Sequence, residues 1–123
     1  MYAPDIERQL TLIQKKLAFP HLDRKRIICF RSFGSKARAR ARIWAFPKIW
    51  QLALKQKPAY CIEVLSEKFD HLSSDDQAKI LIHELLHVPK NFSGALLPHH
   101  GRGRLVINSR SVEELYDQFI SRR

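Results

Sequence analysis

The sequence predicts a single α+β domain spanning residues 1–123, and three observations predict it. Apolar residues recur at helical spacing near both ends, with Ile6, Leu10, Ile13 and Leu17 in the first segment and Val112, Leu115, Tyr116, Phe119 and Ile120 in the last. Two runs rich in β-branched and aromatic residues, 26–33 and 60–65, read as strands. Between the second run and the last helix lies QAKILIHELLHV, apolar nearly all round, and such a helix belongs in an interior. With 123 residues, 45% of them apolar, one core can be buried without staples.

Each element follows from local signals. Pro4 and Asp5 sit where a helix start tolerates them, ahead of the stripe from Ile6 to Leu17. RIICFRSF ends at Gly34 and is expected as a strand. In SKARARARIWAFP, Lys36, Arg38, Arg40 and Arg42 alternate with alanine, which suggests an extended ribbon with one basic face. Pro47 is placed to start a helix over KIWQLALKQK, which Pro58 closes. Tyr60, Ile62 and Val64 alternate with Cys61, Glu63 and Leu65 in the second strand. Ser74 and Gln77 are spaced as a capping box, with Asp75 and Asp76 near the positive helix end. Pro89 biases Val88 away from helical geometry, so this helix is expected to end near His87. A loop broken by Gly94, Pro98, Gly101 and Gly103 leads to a second capping-box spacing, Ser111 and Glu114, before the closing helix.

The formal charge of +10 favours anionic partners. The basic stretch Lys36, Arg38, Arg40 and Arg42 could track the phosphates of DNA or RNA, with Trp44 or Phe33 as stacking platforms, although alternating arginine also suits a plain solvated face. No stretch approaches the roughly 18 apolar residues of a membrane span, and the N-terminus lacks a cleavable signal pattern, so a cytoplasmic chain with no membrane partner is expected. Cys29 and Cys61 lie in apolar stretches without CxxC spacing and read as buried thiols.

Four of the six histidines fall in HELLHVPKNFSGALLPHHG, residues 83–101. His83 and His87 are four apart, so on a helix they share one face and can bind one ion through imidazole nitrogen. Glu84 directly follows the first of them, which sets a carboxylate beside an open coordination position as a general base for water. Zinc suits neutral imidazole and lowers the pKa of water without redox chemistry. Imidazoles buried against backbone carbonyls are the alternative, but two histidines and a glutamate on a greasy helix are costly to bury unless something pairs them. The loop offers His99 and His100 as a third ligand. For an oxyanion partner the candidates are the unused member of that pair, Arg102 and Tyr116, the last more consistent with core.

The helix and loop resemble a zincin metallopeptidase. The metzincin pattern is absent, since Lys90 and Ser93 stand where its glycine and third histidine belong. The SprT type is closer, and its histidine-glycine rule would select His100. Closer still, GSKARARARIWAFPKIWQ, YCIEVLSEKFDHLS and HELLHVPKNFSGALLPH together resemble the compact metallopeptidases of archaea and phages, which would select His99. These likenesses imply a minimal zincin-like fold with a small mixed or antiparallel sheet on a central zinc helix, Zn2+ as cofactor, and protein or peptide substrates. SprT-type proteases act on DNA-attached proteins, so the basic stretch and the zinc motif could share one purpose. In zincins an exposed edge strand pairs with substrate backbone, here drawn from 60–65 or from 42–46.

Overall fold

The stripe Ile6, Leu10, Ile13 and Leu17 is buried along helix α1, Pro4–Leu17, in the computed structural model, which describes residues 1–17, 19, 22–98 and 107–122. Asp5 and Glu7 in the first turn and Lys15 and Lys16 in the last complement the helix dipole. A 3-10 turn, Arg24–Arg26, capped by Asp23 through Lys25 N, leads into strand β1, Ile27–Ser32. Strand β2 is Ala41–Ala45, helix α2 is Lys48–Leu54, and strand β3 is Tyr60–Leu65. A short helix α3, Ser66–Phe69, precedes the long helix α4, Ser74–Leu86, and helix α5, Ser109–Ser121, closes the described chain.

The fold is α+β, with a three-stranded mixed sheet in the order β1-β3-β2. β3 is central, parallel to β1 from Ile27↔Tyr60 to Ser32↔Leu65 and antiparallel to β2 from Ala41↔Val64 to Ala45↔Tyr60. One sheet face contributes Ile27, Cys29, Tyr60, Ile62 and Val64 to a core shared with Leu10 and Ile13 of α1, Leu81 and Leu85 of α4, and Val112 and Phe119 of α5. Each such side chain stabilises by about 1.5–3 kcal/mol when fully buried, so Leu10→Asp would break the α1 packing outright. The opposite face carries Ile28, Phe30, Trp44, Cys61 and Glu63, all half-buried or exposed. Cys61 is therefore only half-buried, unlike Cys29.

The two sheet edges differ. Along β1, Ala3 N donates to Cys29 O and Arg31 N to Met1 O, so the N-terminal residues cover that edge. Arg31 fixes the corner by a bidentate pair with Asp5, at 2.7 and 3.1 Å, and a second pair with Asp70. The outer edge of β2 pairs with no described strand. Of the two stretches expected for the open edge, 60–65 is the middle of the sheet, and 42–46 overlaps β2, which is the edge.

Four local expectations are corrected. Residues 35–40 are not a strand, because β3 gives way to α3 at Ser66 and offers no ladder beyond Leu65, whose N–H already reaches Arg40 O. The cap of α4 is Ser73, whose Oγ accepts from Asp76 N, while Gln77 reaches back to the carbonyls of Phe69 and Leu72. Helix α5 starts earlier than Ser111 suggested: Asn108 caps it in a reciprocal box with Ser111, and Glu114 pairs instead with Arg110 one turn back. Helix α2 also stops short, at Leu54, where Lys55 turns left-handed with φ 54°.

Candidate metal centre

Helix α4 runs through the interior because Ala78, Leu81, Ile82, Leu85 and Leu86 all bury. Packing of this kind fixes what the remaining face presents, namely His83, Glu84 and His87. Its last turn tightens, with His87 N donating to Glu84 O and Val88 N to Leu85 O, and Pro89 stops it. The expected end near His87 is where the helix ends.

The Nε2 atoms of His83 and His87 lie 3.4 Å apart, with the rings inclined at 66°. Two imidazole nitrogens at about 2.0–2.1 Å from one tetrahedral ion are roughly 3.3–3.4 Å apart, so this spacing fits a shared ion. His87 Nδ1 meets the Leu97 carbonyl. A carbonyl only accepts, so Nδ1 carries a proton, and the ring is oriented with Nε2 turned towards His83. Glu84 is only 7% exposed, and burial pushes its carboxyl up to about 7. The donor set therefore fits a divalent ion that prefers imidazole, with a carboxyl of near-neutral pKa beside it.

The segment after α4 is tied down as firmly as the helix. Phe92, at φ 49°, packs edge-on against Tyr60 with ring centroids 5.0 Å apart. Tyr60 Oη accepts from Gly94 N and donates to Ala95 O, and Leu97 N donates to His87 O at 2.7 Å. Gly94 adopts φ +92°, which favours glycine, and a Cβ there would lie 2.3 Å from Gln51 Nε2, so the end of that side chain would have to move aside. The loop thus returns over the end of α4 and supplies the acceptor that orients His87. Among the described residues no three His, Cys, Asp or Glu side chains converge as an ion site. His99, His100 and Arg102 lie outside the described residues.

A cleft of about 920 Å³ opens over this face of α4. One wall is residues 38–43, ending in the open edge β2; the others come from Leu96, Leu97 and Pro98 and from Val112 and Glu113 of α5. Arg38, Arg40 and Arg42 line it, whereas exposed Lys36 does not. Arg42 pairs with Glu63 at 2.6 Å and stacks on Trp44, and the Arg42 guanidinium holds the Glu63 carboxyl down at about 2. Arg38 and Arg40 make no ion pair among the described residues. Tyr116 is buried in the core under Lys79, which pairs with Glu113 at 2.9 Å.

Sequence reasoning did not find Lys79, Leu97, Gln51 or the Tyr60 hydroxyl. Tyr60 had a signal, since a tyrosine on the core side of a strand needs a partner for its hydroxyl. Leu97 had none, because it acts through its backbone carbonyl.

Neither the curated proteins nor the solved structures gave a match. The chain does match the family model described as "Putative phage metallopeptidase" over residues 1–121. With that match covering nearly all of its length, and with an imidazole pair and a buried carboxyl facing its cleft, the chain belongs to the phage metallopeptidase family, whose description implies a metal-dependent peptidase.

Proposed function

We propose that this chain is a zinc-dependent peptidase of the HExxH zincin type. The observation that carries the reading is the 3.4 Å separation of the His83 and His87 Nε2 atoms, with His87 Nδ1 held by the Leu97 carbonyl. His83 and His87 would hold the ion together with His99, the histidine that follows cleft-lining Pro98, or with His100 in its place. Zinc, when bound, supplies a Lewis acid for the scissile carbonyl and lowers the pKa of water.

The chain's own residues do the rest. Glu84, with its carboxyl raised to about 7 by burial, takes the proton from the attacking water and hands it to the leaving amine. An extended substrate adds to the open edge of β2, its backbone pairing with Ala41 and Ile43, which line the cleft, and with Ala45 beyond them. His87 is held in orientation by the Leu97 carbonyl. Glu84→Gln is expected to keep stoichiometric zinc, measured by elemental analysis, and to lose at least about 10²–10⁴-fold in peptide hydrolysis. Full hydrolysis by that variant would overturn the mechanism.

A second reading is favoured by Arg38 and Arg40, which stand at the cleft without ion partners among the described residues. They suit substrates presented on nucleic acid, as the likeness to SprT-type proteases suggests. Binding to single-stranded DNA is then expected to fall steeply with salt and with Arg38→Ala and Arg40→Ala, and binding indifferent to both removes this reading.

A further inference from the structure

Helix α2 is inside out. Of its seven residues only Gln51 is buried, while Ile49, Trp50, Leu52 and Leu54 are 52–69% exposed. Gln51 is a true anchor, donating to Phe46 O at 2.8 Å and filling the space beside Gly94. The orientation of the helix is therefore set by its one polar side chain. At about 100° per residue, the positions from Leu52 through Ile49 and Ala53 to Trp50 and Leu54 cover an arc of roughly 200° opposite Gln51.

Charge surrounds this apolar arc. Lys48, Lys55 and Lys57 flank it, all exposed and none ion-paired among the described residues. Residues 24–62 hold eleven of the 22 Lys and Arg and no Asp or Glu, so that stretch carries +11 and the rest of the chain, with eleven cations and twelve acids, −1.

We propose that α2 docks on an anionic bilayer surface, with Ile49, Trp50, Leu52 and Leu54 in the headgroup–acyl boundary and the flanking lysines on lipid phosphates. A second copy of the chain fits poorly, because each copy brings the same cluster of positive charge to the contact. Nucleic acid offers bases for Trp50 but nothing apolar for Ile49, Leu52 and Leu54. A protein groove takes a helix by one narrower stripe at i, i+3, i+4 and i+7, which a helix of seven residues with a 200° arc does not present. A fluid interface accepts the whole arc, takes tryptophan at its boundary and attracts lysine. This departs from the expectation of no membrane partner, which rested on the lack of an apolar span and of a signal pattern; no described helix is long and apolar enough to cross a membrane. Helix α2 would lie on the surface, and nothing in this proposal depends on peptide hydrolysis.

The test is co-flotation of the full chain with vesicles of phosphatidylcholine alone or mixed with phosphatidylglycerol. Partitioning is expected to be at least tenfold stronger on the anionic vesicles and to fall with salt. In a Trp44→Phe background, Trp50 emission should shift to the blue on binding. The double change Ile49→Ser and Leu52→Ser should remove partitioning while leaving thermal unfolding in place, and Lys55→Glu should weaken it by about fivefold or more. No partitioning on anionic vesicles overturns the proposal. So does partitioning that survives Ile49→Ser and Leu52→Ser, which would reduce it to adsorption of the basic stretch. A dimer that these two changes dissolve, with no vesicle binding, would assign the surface to a second copy instead.

Discussion

Helix α4 buries a glutamate and a histidine among Leu81, Ile82 and Leu85, whereas α2 buries a glutamine and turns Ile49, Trp50, Leu52 and Leu54 to solvent. Both depart from the rule that sets apolar side chains inward, and they depart in opposite directions. Polar groups held in the interior are destabilising until something pairs them, and apolar groups held in water are destabilising until something covers them. In α4 the compensation is partly visible, since Leu97 satisfies His87 and the two Nε2 atoms stand at the spacing of a shared ion. In α2 none of it lies within the described residues. Gln51 of α2 fills the space beside Gly94, whose N–H donates to the Tyr60 hydroxyl, so the surface helix and the metal-site loop meet at Gly94.

The largest expected effect comes from removing the buried acid. Glu84→Leu should abolish hydrolysis altogether and raise the stability of the metal-free protein by about 1–3 kcal/mol, because an apolar side chain there needs no solvation. Chemical denaturation of both forms checks it. Unchanged or lower stability would mean that Glu84 is better satisfied than its burial implies.

Next is Gly94→Ala, which both forces a side chain into φ +92° and drives its Cβ onto Gln51 Nε2. A loss of about 1–3 kcal/mol is expected, together with weaker metal affinity as the Leu97 acceptor shifts. Adding Gln51→Ala should return only the steric part, because the backbone strain stays. A double-mutant cycle separates the two contributions.

Much of this was legible in the chain. The stripes of α1 and α5, the alternation of β3 and the placing of His83, Glu84 and His87 on one interior helix follow from periodicities of 3.6 and 2. Caps were displaced by one to three residues, since Ser73 rather than neighbouring Ser74 reaches Asp76 N, and Ser111 serves as the N3 partner of the Asn108 cap. The basic alternation of 36–40 misled because a strand exists only where a partner offers a ladder, and β3 stops at Leu65. The inversion of α2 was hidden in KIWQLAL, whose composition reads as core. Its orientation depends on the contact of Gln51 with Phe46 and Gly94, distant in sequence or carried by backbone.

A smaller effect is expected on the solvent face of the sheet, where Glu63 accepts from Arg42, Ser32 and the Trp44 indole. Its folded carboxyl is held down at about 2 from an ordinary value of 4.5. A lowered folded value stabilises fully above the unfolded value and is lost as pH falls towards the folded one. Glu63→Gln should therefore destabilise by about 1 kcal/mol at pH 7, and the gap to wild type should close between about pH 4.5 and pH 2. A gap that persists at pH 2 would assign the effect to packing.

The smallest expected effect sharpens the comparison most. Ile49→Ser and Leu52→Ser replace side chains that are more than half exposed, so each should move folding stability by no more than about 0.5 kcal/mol. Core leucines of α4 behave otherwise: Leu81→Ala should lose about 2–5 kcal/mol. Both helices are apolar in composition, yet only one holds the fold together with its apolar residues. If the α2 changes unfolded the protein as the α4 change does, Ile49 and Leu52 would have to be packed in the native state. With stability unmoved, the exposed arc of α2 serves a contact outside the fold, and the fold itself relies on Gln51 to aim it there.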